Sequence, residues 1–230
     1  PPAAPAAGPS VAPAVVEVST VEFSVTVNAD RVLPARAWVP ALPGDRRAPV
    51  VAMSHGWGGK KEHAAYLAQR LAAAGYLVVA LDHLNDSQAS ALVRPRDISA
   101  LLDTVADAGK SPALAARADL EHVAVYGHSF GGFTALALGG ARLGPNPQWT
   151  AHCAAGPAID CPAPPEGAMP TLSLRDPRVD LVIGAAPAGY FQFGDAGVNA
   201  VEVPTLIIAA ATDAMMPLAT TITPLVAQLR

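Results

Sequence analysis

The hexapeptide GHSFGG at residues 127–132 constrains this chain more than any other stretch. The β-branched, apolar run VAVY precedes it and the helix-forming run FTALAL follows it directly, so the backbone must pass from strand to helix within a few residues. Such a turn forces its central residue into a crowded conformation, which glycines two residues to either side relieve. Gly127 and Gly131 hold those positions around Ser129, and Gly132 adds room. The pattern predicts a helix from Gly132 to about Leu143 whose first amides favour negative charge beside the serine. Short G-x-S-x-G matches recur by accident in glycine-rich loops; the strand before and the helix after lift this one above accident.

The flanking chain repeats the same alternation. Residues 17–28 and 33–40 alternate in the manner of strands and form an antiparallel hairpin across a turn at 28–30. Residues 48–56 and the run YLVVALDH are continuous apolar segments, as expected of parallel strands covered on both faces. Helices are expected over 62–74, stopped by Gly75, and over 96–108, where Ile98, Leu101, Leu102 and Val105 fall at helical spacing. Two further strands are expected at 178–188 and 203–213, and a final helix after Pro217. Residues 144–178 are proline-rich and carry both cysteines, so they are read as a loop or small cap. The fold class is α/β, a mostly parallel central sheet flanked by helices with an opening antiparallel hairpin.

At 230 residues, 51% of them apolar, the chain can bury one sizeable core. A net charge of −4 provides no basic surface for phosphates, which argues against nucleic acid as a partner. No apolar run approaches the roughly 18 residues of a membrane span, so no integral membrane segment is expected. Residues 1–16 are rich in Pro and Ala and read as a flexible leader, with the folded domain over 17–230. The chain starts with neither Met nor a charged-then-apolar signal, consistent with a start after a removed export sequence or at an arbitrary boundary. Cys153 and Cys161 lie eight apart without metal-type spacing; a local disulfide is expected, two unrelated thiols being the alternative. A secreted or periplasmic location follows as the expectation.

A serine hydroxyl needs a base to take its proton, a group to orient that base and donors for the oxyanion. The turn SHGWGG at 54–59 follows the third strand, and the oxyanion donors are assigned to the amides of Trp57 and Phe130. The Trp57 ring forms an apolar wall, and Trp57 with His128 are the substrate-contacting candidates. Asp213, at the end of the run TLIIAAATD, is the expected acid; Asp176, Asp180 and Asp195 compete with it. All six histidines, at 55, 63, 83, 122, 128 and 152, precede Asp213, whereas the fold order places the base after the acid. His128 must point away from the serine at such a turn, His55 braces backbone, and His63 and His122 read as surface or strand-start residues. His83 and His152 remain as candidate bases. The simpler account places the histidine on a further segment of the same gene product, these 230 residues lacking the last strand and helix of the fold.

Through LPARAWVP, SHGWGG, GYLVVALDH, GHSFGG and VPTLIIAAATDAMMP, the chain resembles the α/β-hydrolase superfamily over about residues 20–230. Within it, the resemblance is to dienelactone hydrolases, plasma-type platelet-activating-factor acetylhydrolases and cutinase-like polyester hydrolases. The resemblance implies a serine ester hydrolase acting through an acyl-enzyme on Ser129 with Asp213 and the Trp57 amide, and without metal or organic cofactor. Small-molecule or polymeric esters, polyesters among them, are the implied substrates. Serine rather than cysteine at position 129 favours ester over lactone chemistry. Two other readings stand beside it. One is a phospholipid acetylhydrolase, for which the run AGYFQFG at 188–194 would supply a membrane-facing patch. The other is a non-catalytic binding module built on the same fold.

Overall fold

The computed structural model describes residues 15–84, 90–144, 146–154 and 171–230, without the side chains of 152 and 153. Nine strands and seven α-helices alternate through these residues. The hairpin opens the chain as β1 (Val18–Asn28) and β2 (Arg31–Pro40), paired antiparallel from Val18↔Pro40 to Asn28↔Arg31. Then follow β3 (Ala48–Ser54), α1 (Ala65–Ala73), β4 (Leu77–Leu81), α2 (Ser90–Ala106), α3 (Pro112–Ala115), β5 (Ala118–His128) and α4 (Phe130–Leu138). A two-residue ribbon, β6 (Arg142–Leu143) with β7 (Leu172–Ser173), brackets α5 (Pro147–Ala154). The chain continues with β8 (Val179–Ala185), α6 (Tyr190–Val198), β9 (Thr205–Ile208), a π-helical turn at Leu218–Ile222 and α7 (Thr223–Gln228).

The main sheet has the order β1-β2-β4-β3-β5-β8-β9, with β4, β3, β5, β8 and β9 parallel. Its alternating residues feed two cores, as a sheet covered on both faces requires. Val50, Ala52, Leu77, Val79 and Leu81 pack with Ile98, Leu101 and Leu102 of α2 and Phe133 of α4. Val51, Met53, Val78 and Ala80 face the other way, onto Ala68 and Ala72 of α1. That second face thins toward the edge: Ile183 and Ala185 of β8 are half-buried, while their β9 partners Leu206 and Ile208 are 53% and 52% exposed.

Several boundaries depart from expectation. The helix expected from residue 96 begins at Ser90 and runs through Pro95, because a proline in the second turn removes one amide donor without ending a helix whose buried face continues through Arg94, Asp97 and Ile98. The helix expected to reach Leu143 stops at Leu138, since Gly139 and Gly140 turn the chain, Gly140 at φ +116°. The strand expected to run to residue 213 ends at Ile208, and Asp213 lies in the turn beyond it. The aromatic run 188–194 is not a surface patch: Tyr190 and Phe193 are 8% and 2% exposed, and the Phe193 ring stacks on Phe133 with centroids 4.5 Å apart. Most of the cap segment, and with it the bond expected between Cys153 and Cys161, lies outside the described residues.

The carboxyl ends of β3 and β5 meet the start of α4 with no space for side chains. A Cβ at Gly127 would overlap the Gly131 carbonyl, and one at Gly131 would overlap the Ser54 carbonyl. Because both obstacles are backbone, Gly131→Ala should destabilise the fold by about 3 kcal/mol or more, measured by urea denaturation. A loss below ~1 kcal/mol would mean that this junction is looser than described.

Candidate active site

Ser129 adopts φ +54°, ψ −118°, a conformation costing a non-glycine residue about 1–3 kcal/mol. Its surroundings hold it there. The Ser129 amide donates to Ala185 O at 2.9 Å, and its carbonyl accepts from the amides of Gly132 at 2.8 Å and Ala188 at 2.9 Å. The side chain therefore stands clear of the sheet edge, at the N-terminus of α4, where unpaired amides favour developing negative charge.

The turn after β3 faces it. A Cβ at Gly56 would lie 3.4 Å from Ser129 Cβ, which places residues 55–57 directly against the nucleophile. Among the described residues the amides of Trp57 and Phe130 donate to no other group. The Trp57 ring, 37% exposed, meets the Phe130 ring edge-on at 5.3 Å. His128 is exposed, and with His55 and Gly56 it lines a cleft of about 330 Å³ that also takes Lys60, Lys61 and His63 into its wall.

The Asp213 carboxylate accepts from the amides of Met216 at 2.9 Å and Met215 at 2.8 Å, which hold its pKa below the usual carboxylate range, and the charge of His128 acts in the same direction. The three competitors have other partners: Asp176 pairs with Arg178, Asp180 accepts from the Val123 amide, and Asp195 accepts from Tyr190 Oη and Gln148. Among the described residues no imidazole hydrogen-bonds the Ser129 hydroxyl.

His83 is removed from the candidate bases. It is buried behind β3, where its Nε2 lies 2.9 Å from Ser54 Oγ and its Nδ1 2.8 Å from Asp97 Oδ2. Arg31 clamps the same carboxylate with Nε at 2.7 Å and Nη2 at 2.6 Å. Burial would raise the Asp97 pKa, but the hydrogen bonds from Arg31 and His83 outweigh it and keep the carboxyl ionised. An ionised Asp97 requires a proton on Nδ1, so neutral His83 accepts the Ser54 hydroxyl at Nε2. Both ring nitrogens are thus occupied far from solvent. His55 braces backbone as expected, its Nε2 accepting from the His83 amide at 3.0 Å and its Nδ1–H donating to Gly56 O at 2.7 Å. His122 is a surface residue paired with Asp119, and the side chain of His152 lies outside the described residues.

A serine on a strand-to-helix turn, at the carboxyl edge of a mostly parallel sheet and opposite a glycine-rich turn, is the architecture of an α/β hydrolase. A family model described as serine aminopeptidase, S33 (Hydrolase_4) matches residues 45–182, more than half of the 230, and the chain belongs to that family. No curated protein gives a match to the sequence.

Two features escaped sequence reasoning. Arg94 and Asp97, both fully buried, were missed for different reasons: Asp97 lay in a helix read only for its apolar residues, and Arg94 before the residue at which that helix was expected to begin. Burial pushes the His83 pKa down to about 4, against the hydrogen bond to Asp97, with the charges of Arg94 and His55 adding to the fall. The unfolded chain protonates this imidazole below about pH 6.5, the folded one only near pH 4. Stability should therefore be full above pH 6.5 and decline between pH 6.5 and 4, with a slope approaching ~1.4 kcal/mol per pH unit from this residue. Urea denaturation from pH 7.5 to 4.5 checks it: His83→Gln should flatten the profile, and an unchanged slope would refute the assignment.

Proposed function

We propose that the protein is a serine carboxylic-ester hydrolase that forms an acyl-enzyme on Ser129 and releases it by hydrolysis. The conformation of Ser129 carries this reading. A left-handed serine beside two unengaged amides is costly, and a binding module has no use for that cost. In this mechanism Ser129 Oγ attacks the ester carbonyl, the oxyanion sits between the Trp57 and Phe130 amides, and the alcohol leaves with the proton taken from Ser129. Asp213 orients the imidazole that carries that proton.

The cleft wall favours esters over aminoacyl substrates. A free α-ammonium group needs an acidic partner, and the cleft beside the oxyanion turn carries Lys60, Lys61, His63 and His128 with no carboxylate among its described lining. The apolar face of Trp57 suits acyl or aromatic esters, cutinase-like polyester chains included. Burial of Tyr190 and Phe193 removes the surface patch that favoured a phospholipid acetylhydrolase. We read the protein as secreted or periplasmic, on its Pro/Ala-rich leader and its two cysteines.

The test compares hydrolysis of a short p-nitrophenyl ester and an aminoacyl p-nitroanilide by the protein. Ester hydrolysis is expected. Ser129→Ala should lose about 10³-fold or more in kcat, and Asp213→Asn about 10²- to 10⁴-fold. Anilide cleavage without esterase activity, or an unaffected Ser129→Ala variant, would overturn the proposal.

A further inference from the structure

The guanidinium of Arg94 is fully buried and aimed at the back of the turn that faces Ser129. Its Nη1 donates to His55 O at 2.6 Å and its Nη2 to Gly56 O at 3.2 Å. Its Cζ lies 5.1 Å from the centroid of the Phe130 ring, the arrangement of a cation over an aromatic face. One side chain of α2 therefore touches the backbone immediately before Trp57 and the side chain of Phe130, the two residues whose amides face the nucleophile.

A carbonyl and the following amide share one rigid plane and point in opposite directions. Holding Gly56 O toward the interior therefore turns the Trp57 N–H outward, toward the Ser129 side of the turn. Holding His55 O fixes the plane before it, so the turn cannot rotate about Gly56, whose missing side chain would otherwise leave it free. On the other side, the ring of Phe130 is seated between Arg94, Trp57 and Phe133, the last stacked on it at 5.1 Å, which steadies the first turn of α4 and its leading amide.

We propose that Arg94 is a positioning residue for the oxyanion hole: it aligns the Trp57 and Phe130 amides from behind without touching substrate. This rests on the reading of Ser129 as the nucleophile. Donors aligned in advance act where charge develops in the transition state and add little to ground-state binding. Losing Arg94 should therefore lower kcat and leave KM nearly unchanged.

The test measures two things in wild type, Arg94→Met and Arg94→Lys. Hydrogen exchange of the peptide spanning residues 54–59 reports the order of the turn whether or not the protein is active. Hydrolysis of a p-nitrophenyl ester, normalised to the serines acylated in the first turnover, reports catalysis per correctly folded molecule. Expected in Arg94→Met are exchange over 54–59 at least tenfold faster than in wild type with β4 and β8 unchanged, kcat lower by about 10- to 100-fold, and KM within threefold. Arg94→Lys keeps the charge but can neither grip two carbonyls as a planar fork nor stack on the ring, so it should fall between the two. Affinity for a trifluoromethyl ketone that mimics the tetrahedral oxyanion should drop by the same factor as kcat. Should Arg94→Met not fold, Arg94→Lys carries the comparison. Unchanged exchange over 54–59, unchanged kcat per acylated serine, or a rise in KM alone would overturn the proposal. Altered exchange in a wild type that acylates no ester would overturn the hydrolase reading, and the oxyanion role of Arg94 with it.

Discussion

Everything at the site depends on backbone meeting backbone at the ends of β3 and β5. The carbonyl of Gly131 fills the space a Gly127 side chain would need, and the carbonyl of Ser54 fills that of Gly131. Only glycine at both places lets α4 start this close to the sheet, and that closeness makes the turn at Ser129 sharp enough to force a positive φ. The same approach brings the turn after β3 against the nucleophile. The strain at Ser129 is held by bonds from both sides, to Ala185 and Ala188 on one and to Gly132 on the other. Ser129 and the turn after β3 are thus one packing solution rather than two features that happen to be near each other.

Behind that junction lies a polar layer unusual for a protein interior. Arg94, Asp97, Asp82 and His83 are each at most 6% exposed. Isolated charges at such depth would be strongly unfavourable, and the cost is met by pairing: Arg31 with Asp97, Lys61 with Asp82, and Arg94 with two carbonyls. An apolar layer of equal volume could serve stability as well or better. What it could not do is grip carbonyl oxygens. The partners touched are Ser54, His55 and Gly56 and, through the Asp82 carboxylate, the amide of Lys61, so both ends of the turn from 54 to 61 are tied down by the residues just after β4 and by α2. Rigidity of that turn is the property this layer adds.

Much of this was legible in the chain. The order of elements, the doubly covered strands, the elbow and the turn facing it follow from period and from glycine placement, which are local signals. What could not be read depended on partners far away in sequence. Asp97 meets Arg31, 66 residues earlier, and Arg94 meets Gly56, 38 residues earlier; no periodicity marks such pairs. A cue did exist, since two charged residues sharing the inward stripe of an amphipathic helix are either exposed by a kink or buried with partners. The end of β9 was misplaced for another reason. Six apolar residues in the run LIIAAA continue the strand pattern, but the Ala-rich half carries too little side chain to hold a place at the sheet edge, and the ladder stops at Ile208.

Two serines in this molecule stand in line with groups that catalytic serines use, and the difference between them is instructive. Ser54, His83 and Asp97 reproduce the hydrogen-bond chain of a hydrolytic triad at 2.9 and 2.8 Å, with the tautomer set by the carboxylate. Yet Ser54 sits in ordinary strand conformation, 1% exposed, with no turn aiming it outward and no carbonyl carbon able to reach it. Its imidazole has a pKa far below neutrality because the charged form has no water to stabilise it, so a protonated intermediate would be disfavoured at the step where a base must hold the proton. Ser129 has the opposite set: strain, partial exposure, a helix N-terminus and two unengaged amides. A row of matching residue types therefore identifies a nucleophile only when the backbone presents it and the surroundings can hold the charge that develops. The backbone at Ser54 does not present its hydroxyl, and the buried trio instead braces the turn that faces Ser129.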